Sequence, residues 1–341
     1  MTDDPFNEYL WDRRGDPDGE VRHLEVLLER YRFNQPVRIP VARPRRRWLW
    51  YAGTVAVAAV VVFAAWVALI PVLGQPGRVW RVVTRAGQPT VSGAAIDGSG
   101  PLAEGGVVQT DASSRAEIRA GRIGRIEVEP GSRVRLLSTS TGRHRLAVDR
   151  GRIAARLWSP PFTFGFVTPA ADAFDVGCAF TMDVDDRGAA TVRVTSGWVQ
   201  LETLDRQQLI PEGATAVAEP GKGLGTPFFD DASTTFKDAL HALDFEPMTA
   251  ADRSDRLATL LREARRQDVY TFLRLNRGLT RQERGAVYDR ISLLSAPPTG
   301  VTRAGMVADD GAMLDAWRRT LGFPEIKRWW LHWADAFGPV N

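Results

Sequence analysis

The side chains best suited to chemistry in this 341-residue chain are few and scattered. Cys178 is the single cysteine, so no intramolecular disulfide can form and no thiol pair can hold a metal. His23, His144, His241 and His332 lie far apart, whereas a zinc site gathers three or four imidazole or thiolate donors at short, defined spacings. Neither an HExxH helix nor the His-x-x-x-Cys-x-x-Cys arrangement of zinc-binding anti-sigma heads occurs, and GxSxG, GxxxxGK[ST] and GxGxxG are absent from any suitable context. Asp183, Asp185 and Asp186 beside Gly188 bring carboxylates together in the manner of a calcium loop, but the EF-hand spacing and its closing glutamate are missing, and a charged hairpin tip accounts for them. The expectation is a chain with no catalytic residue, no cofactor and no metal, and not an enzyme.

Recognition through an apolar face is the chemistry the pattern does offer. Asp16-Pro17 is a favourable helix start, because the aspartate caps and proline lacks the amide that would go unpaired. In a helix over 17–32, Val21, Leu24, Leu27, Leu28 and Tyr31 share one stripe, with Glu20, Arg22, Glu25, Glu29 and Arg30 around the rest. A shorter helix over 5–13 supplies too little apolar surface to cover that stripe, and an isolated 16-residue helix is marginal in water. Two readings stand: a helical hairpin closed on itself or on a surface, or a docking helix for a partner protein.

The elements that would position this helical head, residues 1–33, are a basic tether over 34–47 and an apolar run over 48–73. Residues 1–29 hold nine acids against Arg13, Arg14 and Arg22, whereas residues 30–47 hold seven arginines and no acid. The run WLWYAGTVAVAAVVVFAAWVALIPVL contains no charged residue or histidine and is long enough, as a helix, for the ~30 Å hydrocarbon slab. With Arg43, Arg45, Arg46 and Arg47 before it, the expected topology is a single transmembrane helix in the inner membrane, N-terminus in the cytoplasm and the remainder in the periplasm, the lipid bilayer being a partner. The overall balance of 44 basic and 41 acidic side chains gives no reason to expect direct nucleic-acid binding.

Beyond the run, residues 78–224 alternate in period two with frequent turn signals. Strands are expected at 79–84, 115–119, 125–129, 133–137, 145–148, 152–158, 162–167, 179–184, 190–194 and 198–202. Their turns would be Glu129-Pro-Gly-Ser132, Thr139-Ser-Thr-Gly142, Asp149-Arg-Gly151 and Ser196-Gly197. An antiparallel sandwich, barrel or solenoid without crossover helices fits this spacing. Phe174, Val176 and Phe180 are expected to alternate toward the core, and Cys178 to serve as a small buried hydrophobe.

The segment from Val167-Thr168-Pro169-Ala170-Ala171 through Val176-Gly177-Cys178-Ala179-Phe180, followed by Val192-Arg193-Val194-Thr195-Ser196-Gly197-Trp198-Val199, resembles the core of the FecR family. That family's pattern runs TP-A, V-x-G-T-x-F-x-V and V-x-V-x-x-G-x-V, with Cys178 here in place of threonine. Glu129-Pro-Gly-Ser-Arg-Val-Arg-Leu-Leu137 and Leu146-Ala-Val-Asp-Arg-Gly-Arg-Ile153 are similar to its strand-and-turn units, so the likeness covers about 78–220. The resemblance implies a single-pass regulator that controls an extracytoplasmic-function sigma factor. It marks Thr168, Pro169, Gly177, Phe180 and Gly197 as structural motif residues.

Residues 230–341 return to helical period. Thr280-Arg-Gln-Glu283 is a capping box opening a helix that ends before Pro297-Pro298, and a final helix over 324–337 concentrates Trp329, Trp330 and Trp333. A HEAT-like stack and a compact bundle are both compatible with the spacing. The expected fold is thus a mixed, multidomain one: helical head, transmembrane helix, all-β FecR-like domain and all-α C-terminal domain. The expected function is an anti-sigma-type signalling regulator with Val21, Leu24, Leu27, Leu28 and Tyr31 as the docking face. The alternative is an envelope binding or scaffold protein that engages a protein or polysaccharide outside.

Overall fold

The computed structural model describes residues 16–17, 19–31, 80–140 and 142–323. The chain falls into two compact units, Met1–Leu73 and Gly74–Asn341. In the first, α1 (Gly19–Leu28) runs into a 3₁₀ turn, Glu29–Tyr31. Arg22 reaches back across the helix start, donating to the Pro17 carbonyl at 3.3 Å. The helix expected at 5–13 lies outside the described residues.

The second unit opens with β1 (Trp80–Ala86), β2 (Thr90–Val91), β3 (Ala94–Ala95), β4 (Ser99–Leu102), β5 (Val107–Gln109) and β6 (Arg115–Ala120). It continues with β7 (Gly124–Val128), β8 (Arg133–Ser140), β9 (Arg143–Leu157), β10 (Phe164–Val167), β11 (Asp172–Asp175) and β12 (Ala179–Val184). Then come β13 (Ala190–Ser196), β14 (Trp198–Glu202), β15 (Gln207–Pro211), β16 (Ala214–Glu219), β17 (Gly223–Leu224) and β18 (Phe228–Phe229).

These strands make two layers joined by β9. One layer runs β4-β1-β6-β7-β9-β12-β13-β16, with β17 and β18 on the outer side of β16. The other runs β3-β2-β5-β8-β9-β10-β11-β14-β15. All these pairings are antiparallel except β9 with β10, which is parallel from His144 opposite Phe164 to Ala147 opposite Val167. The inward faces of both layers fill one core that includes Val82, Ile118, Ile126, Leu136, Leu146, Phe166, Met182, Val192 and Leu201. Fully burying a side chain of this kind contributes roughly 1.5–3 kcal/mol.

The sequence signals at Asp149-Arg-Gly151 mark a turn, yet the chain runs straight through them. His144, Leu146 and Val148 point inward before this point, whereas Ile153, Ala155 and Leu157 do so after it. The inward parity changes because β9 leaves one layer and enters the other. Gly151 sits at the crossing with φ +85°, and a Cβ there would overlap Ser132. Only glycine meets both demands at little cost. Ser132 in turn ties the crossing, accepting from the Arg152 amide at 2.9 Å and donating to the Arg152 carbonyl at 3.1 Å.

After the sandwich come α2 (Thr234–Phe245), α3 (Ala250–Glu263), α4 (Val269–Leu275), α5 (Arg281–Leu294), α6 (Arg303–Val307) and α7 (Gly311–Arg319). Thr280 and Glu283 form the capping box of α5. The helices enclose a second core that includes Phe236, Leu257, Leu260, Phe272, Val287, Ile291, Met306 and Trp317. Among the described residues, six short helices share this interior as a compact bundle. Tyr270 of α4 belongs to the sandwich core, and its hydroxyl donates to the Leu209 carbonyl of β15, so this side chain joins the helical bundle to the sandwich.

The expected membrane crossing is also corrected. No helix among the described residues is long and apolar enough to cross a membrane. The longest, α3 and α5 with 14 residues each, reach about 21 Å at 1.5 Å per residue and carry charges along their length. The run 48–73, on which the single transmembrane helix rested, lies outside the described residues. The transmembrane helix is therefore removed from the fold class, and with it the inner-membrane, single-pass placement and the lipid bilayer as a partner. The final helix over 324–337, with Trp329, Trp330 and Trp333, also lies outside the described residues.

Candidate functional site

The expected docking face is carried by α1. Val21, Leu24 and Leu28 recur at intervals of three and four, so they share one side, with Leu27 beside them. None of the ten helix residues is buried. Leu24, Leu27 and Leu28 are 55%, 42% and 59% exposed and Val21 is half-buried, whereas Val26, 66% exposed, lies on the opposite side of the helix. Tyr31 closes the 3₁₀ turn after the helix. Exposed aliphatic side chains grouped on one helix are the kind of surface that a hydrophobic groove accepts.

The motif residues of the β domain occupy turns and the core. Thr168 folds the β10–β11 connection: its hydroxyl accepts from the Ala171 amide at 3.0 Å and donates to the Ala171 carbonyl at 2.7 Å. Pro169 follows within that turn and faces Gly188 of the neighbouring β12–β13 turn. Gly177 and Gly197 meet back to back, both at positive φ, and a Cβ on Gly197 would overlap the Gly177 carbonyl oxygen. Phe180 is buried edge-on against Phe166, ring centres 5.2 Å apart.

Phe174 differs from expectation. It is half-buried on the outer side of β11, with the Arg145 guanidinium 4.7 Å above its ring. Ala173 and Asp175 take the inward positions instead. Asp175 is fully buried and accepts from the Cys178 amide at 2.9 Å, from the Cys178 thiol, and from Ser159 at 3.4 Å. Burial pushes its carboxyl up to about 7, against hydrogen bonds from Cys178, Gly177 and Ser159 that pull the other way. The Cys178 thiol is raised well above its ordinary value by burial and by the neighbouring carboxylate, which keeps it protonated and unreactive. Sequence reading missed this pair because Asp175 sits at a position that alternation from Phe174 assigns to solvent. The nearby Asp-x-x-Cys spacing was its one available signal.

His144 is also buried, in an aromatic group with Trp80 and Phe164. Its Nδ1 lies 2.8 Å from the Thr139 hydroxyl, which accepts from the Trp80 indole at 3.0 Å. Burial holds its pKa below the usual imidazole range, so the ring is neutral and structural at pH 7. Among the described residues no group of three or more His, Cys, Asp or Glu is placed to hold a metal ion.

No protein-family model matches the chain. No curated protein matches it either. Among solved structures, the chain is similar to two crystal structures described as a “putative anti-sigma factor” from Parabacteroides distasonis ATCC 8503, at 2.50 and 1.65 Å resolution. The first is 12% identical with a TM-score of 0.33, over 41% of this chain and 73% of that one. The second is 12% identical with a TM-score of 0.32, over 39% and 63%. These structural neighbours are thus of anti-sigma-factor kind, at low identity and partial coverage.

Proposed function

We propose that this chain is a non-enzymatic regulator of the FecR anti-sigma type, which holds a sigma factor through α1. The observation that carries the reading is the apolar face of that helix, where Leu24, Leu27 and Leu28 stand exposed. An apolar stripe flanked by Glu20, Glu25 and Glu29 suits a partner groove that is hydrophobic at its centre and basic at its rim. The order of motif pieces from Thr168 to Gly197 supports the FecR assignment for the β domain.

The test is co-precipitation of the host's extracytoplasmic-function sigma factors by the full chain and by Leu24→Asp and Leu28→Asp variants. Placing a carboxylate in the centre of such an interface is expected to cost at least about 2 kcal/mol, a thirtyfold or greater loss of affinity. Because both positions are exposed, the fold should be unchanged by circular dichroism. Capture of no sigma factor, or capture that both variants retain, would overturn the reading. Retained function after deletion of residues 1–34 would favour a binding or scaffold role for the β and helical regions instead.

A further inference from the structure

A cleft of about 470 Å³ opens between the β14–β15 turn and helices α4 and α7. Four arginines line it, Arg206 from the turn, Arg274 from α4, Arg277 just beyond α4 and Arg318 from α7, against two carboxylates, Asp205 and Asp315. Among the described residues, only Arg318 has a carboxylate partner, Asp315 at 3.1 Å. Arg206 donates to the Leu224 carbonyl at 3.1 Å. Arg274 donates to Gln208 Oε1 at 2.7 Å and to the Gln207 carbonyl at 2.8 Å, so both its partners are neutral. Asp205 is turned to the Thr203 hydroxyl at 2.9 Å.

The lining therefore holds an excess of two positive charges, and among the described residues its most enclosed cation, Arg274, has no carboxylate partner. Burial, and then the like charges of Arg318, Arg206 and Arg277, pull the Arg274 pKa below its ordinary value, a sign of how poorly this guanidinium is compensated. Concentrating guanidinium groups in this way is unfavourable unless an anion completes the set. Guanidinium presents a planar fork of donors matched to oxyanions, and it carries phosphate recognition more often than lysine where geometry matters.

We infer that this cleft binds the phosphate group of a small phosphorylated molecule. A phosphate dianion matches the charge excess, and the volume falls in the range of small-molecule sites, leaving room for the esterified body beyond the phosphate. The two carboxylates flank the site, giving acceptors for hydroxyl groups on that body. This site is separate from α1 and does not depend on the docking proposal.

Isothermal titration of the full chain with glycerol 3-phosphate and with inorganic phosphate, at constant ionic strength, tests the assignment, with malonate as a dicarboxylate dianion. Saturable binding at one site per chain is expected for glycerol 3-phosphate. It should weaken about tenfold or more in Arg277→Gln, since a charge-assisted hydrogen bond is lost. Arg277 is exposed and lacks an acidic partner among the described residues, so that variant should fold even where Arg274→Gln does not. Binding of inorganic phosphate as tight as that of the ester would locate all recognition in the phosphate group, still in support. Absence of saturable heat with either phosphate, malonate binding as tightly as both, or full affinity in both Arg277→Gln and Arg318→Gln would overturn the proposal.

Discussion

Asp175 is the residue whose chemistry is most altered by the fold. Its folded pKa, about 7, lies above the ordinary carboxylate value of 3.8, so between those limits the folded protein holds a proton that the unfolded chain has released. Stability from this group is therefore present at low pH and is lost as pH rises from about 4 to about 7, with no further change above that. Asp175→Asn keeps an oxygen to accept from the Cys178 amide and removes the titration. Urea denaturation at pH 5 and pH 7.5 is expected to show the variant gaining on the parent by on the order of 2 kcal/mol across that interval. An unchanged difference between the two proteins would mean that the carboxyl does not titrate in this window. Cys178 leaves this interval unchanged, because at pH 7.5 the thiol is protonated in the unfolded chain and, with its pKa raised further by burial, in the folded protein as well.

At the scale of the element, β9 decides whether there are two sheets or one. Its 15 residues belong to both layers, and the change of parity at Gly151 is what turns the inward face from one layer to the other. Gly151→Ala places a Cβ against Ser132 and imposes a left-handed conformation that alanine rarely adopts. A loss of at least about 2 kcal/mol is expected in urea unfolding, whereas Gly131→Ala, where nothing crowds the added carbon, should cost less. Equal losses at the two positions would indicate that φ alone sets the cost. The same connection recurs at Gly197, where β13 of one layer passes to β14 of the other. Val128-Glu-Pro-Gly131-Ser-Arg-Val134 likewise carries the chain from β7 of one layer to β8 of the other, with Gly131 at positive φ.

For the whole molecule, the consequential contact is between the sandwich and the bundle. Tyr270 stands in a helix yet is buried in the sandwich core, with Trp198 and Phe323 packed edge-on around it at 6.3 and 4.9 Å. Leu321 touches both cores. The residues from Trp80 to Phe323 are accordingly expected to unfold in one transition. Tyr270→Ala should cost about 3–5 kcal/mol and separate the transitions followed by tryptophan fluorescence and by far-UV circular dichroism. Coincident curves in the variant would show that the remaining contacts suffice.

By itself the sequence determined the local events: period-two alternation for strands such as β7 and β12, the Thr280-Glu283 capping box, the start of α1 near Asp16-Pro17, and the apolar stripe of that helix. Each depends on residues within one or two turns of one another, so spacing suffices to read it. Tertiary structure alone decided that Asp149-Arg-Gly151 is a crossing and not a turn, that β9 and β10 are parallel, and that Asp175 takes the inward place expected of Phe174. It also brought Arg206 together with Arg274, Arg277 and Arg318, which are separated by up to 112 positions in the chain. The reason is physical: a strand's inward side and a charge's neighbours depend on which distant segment lies across from it, and no local pattern carries that information.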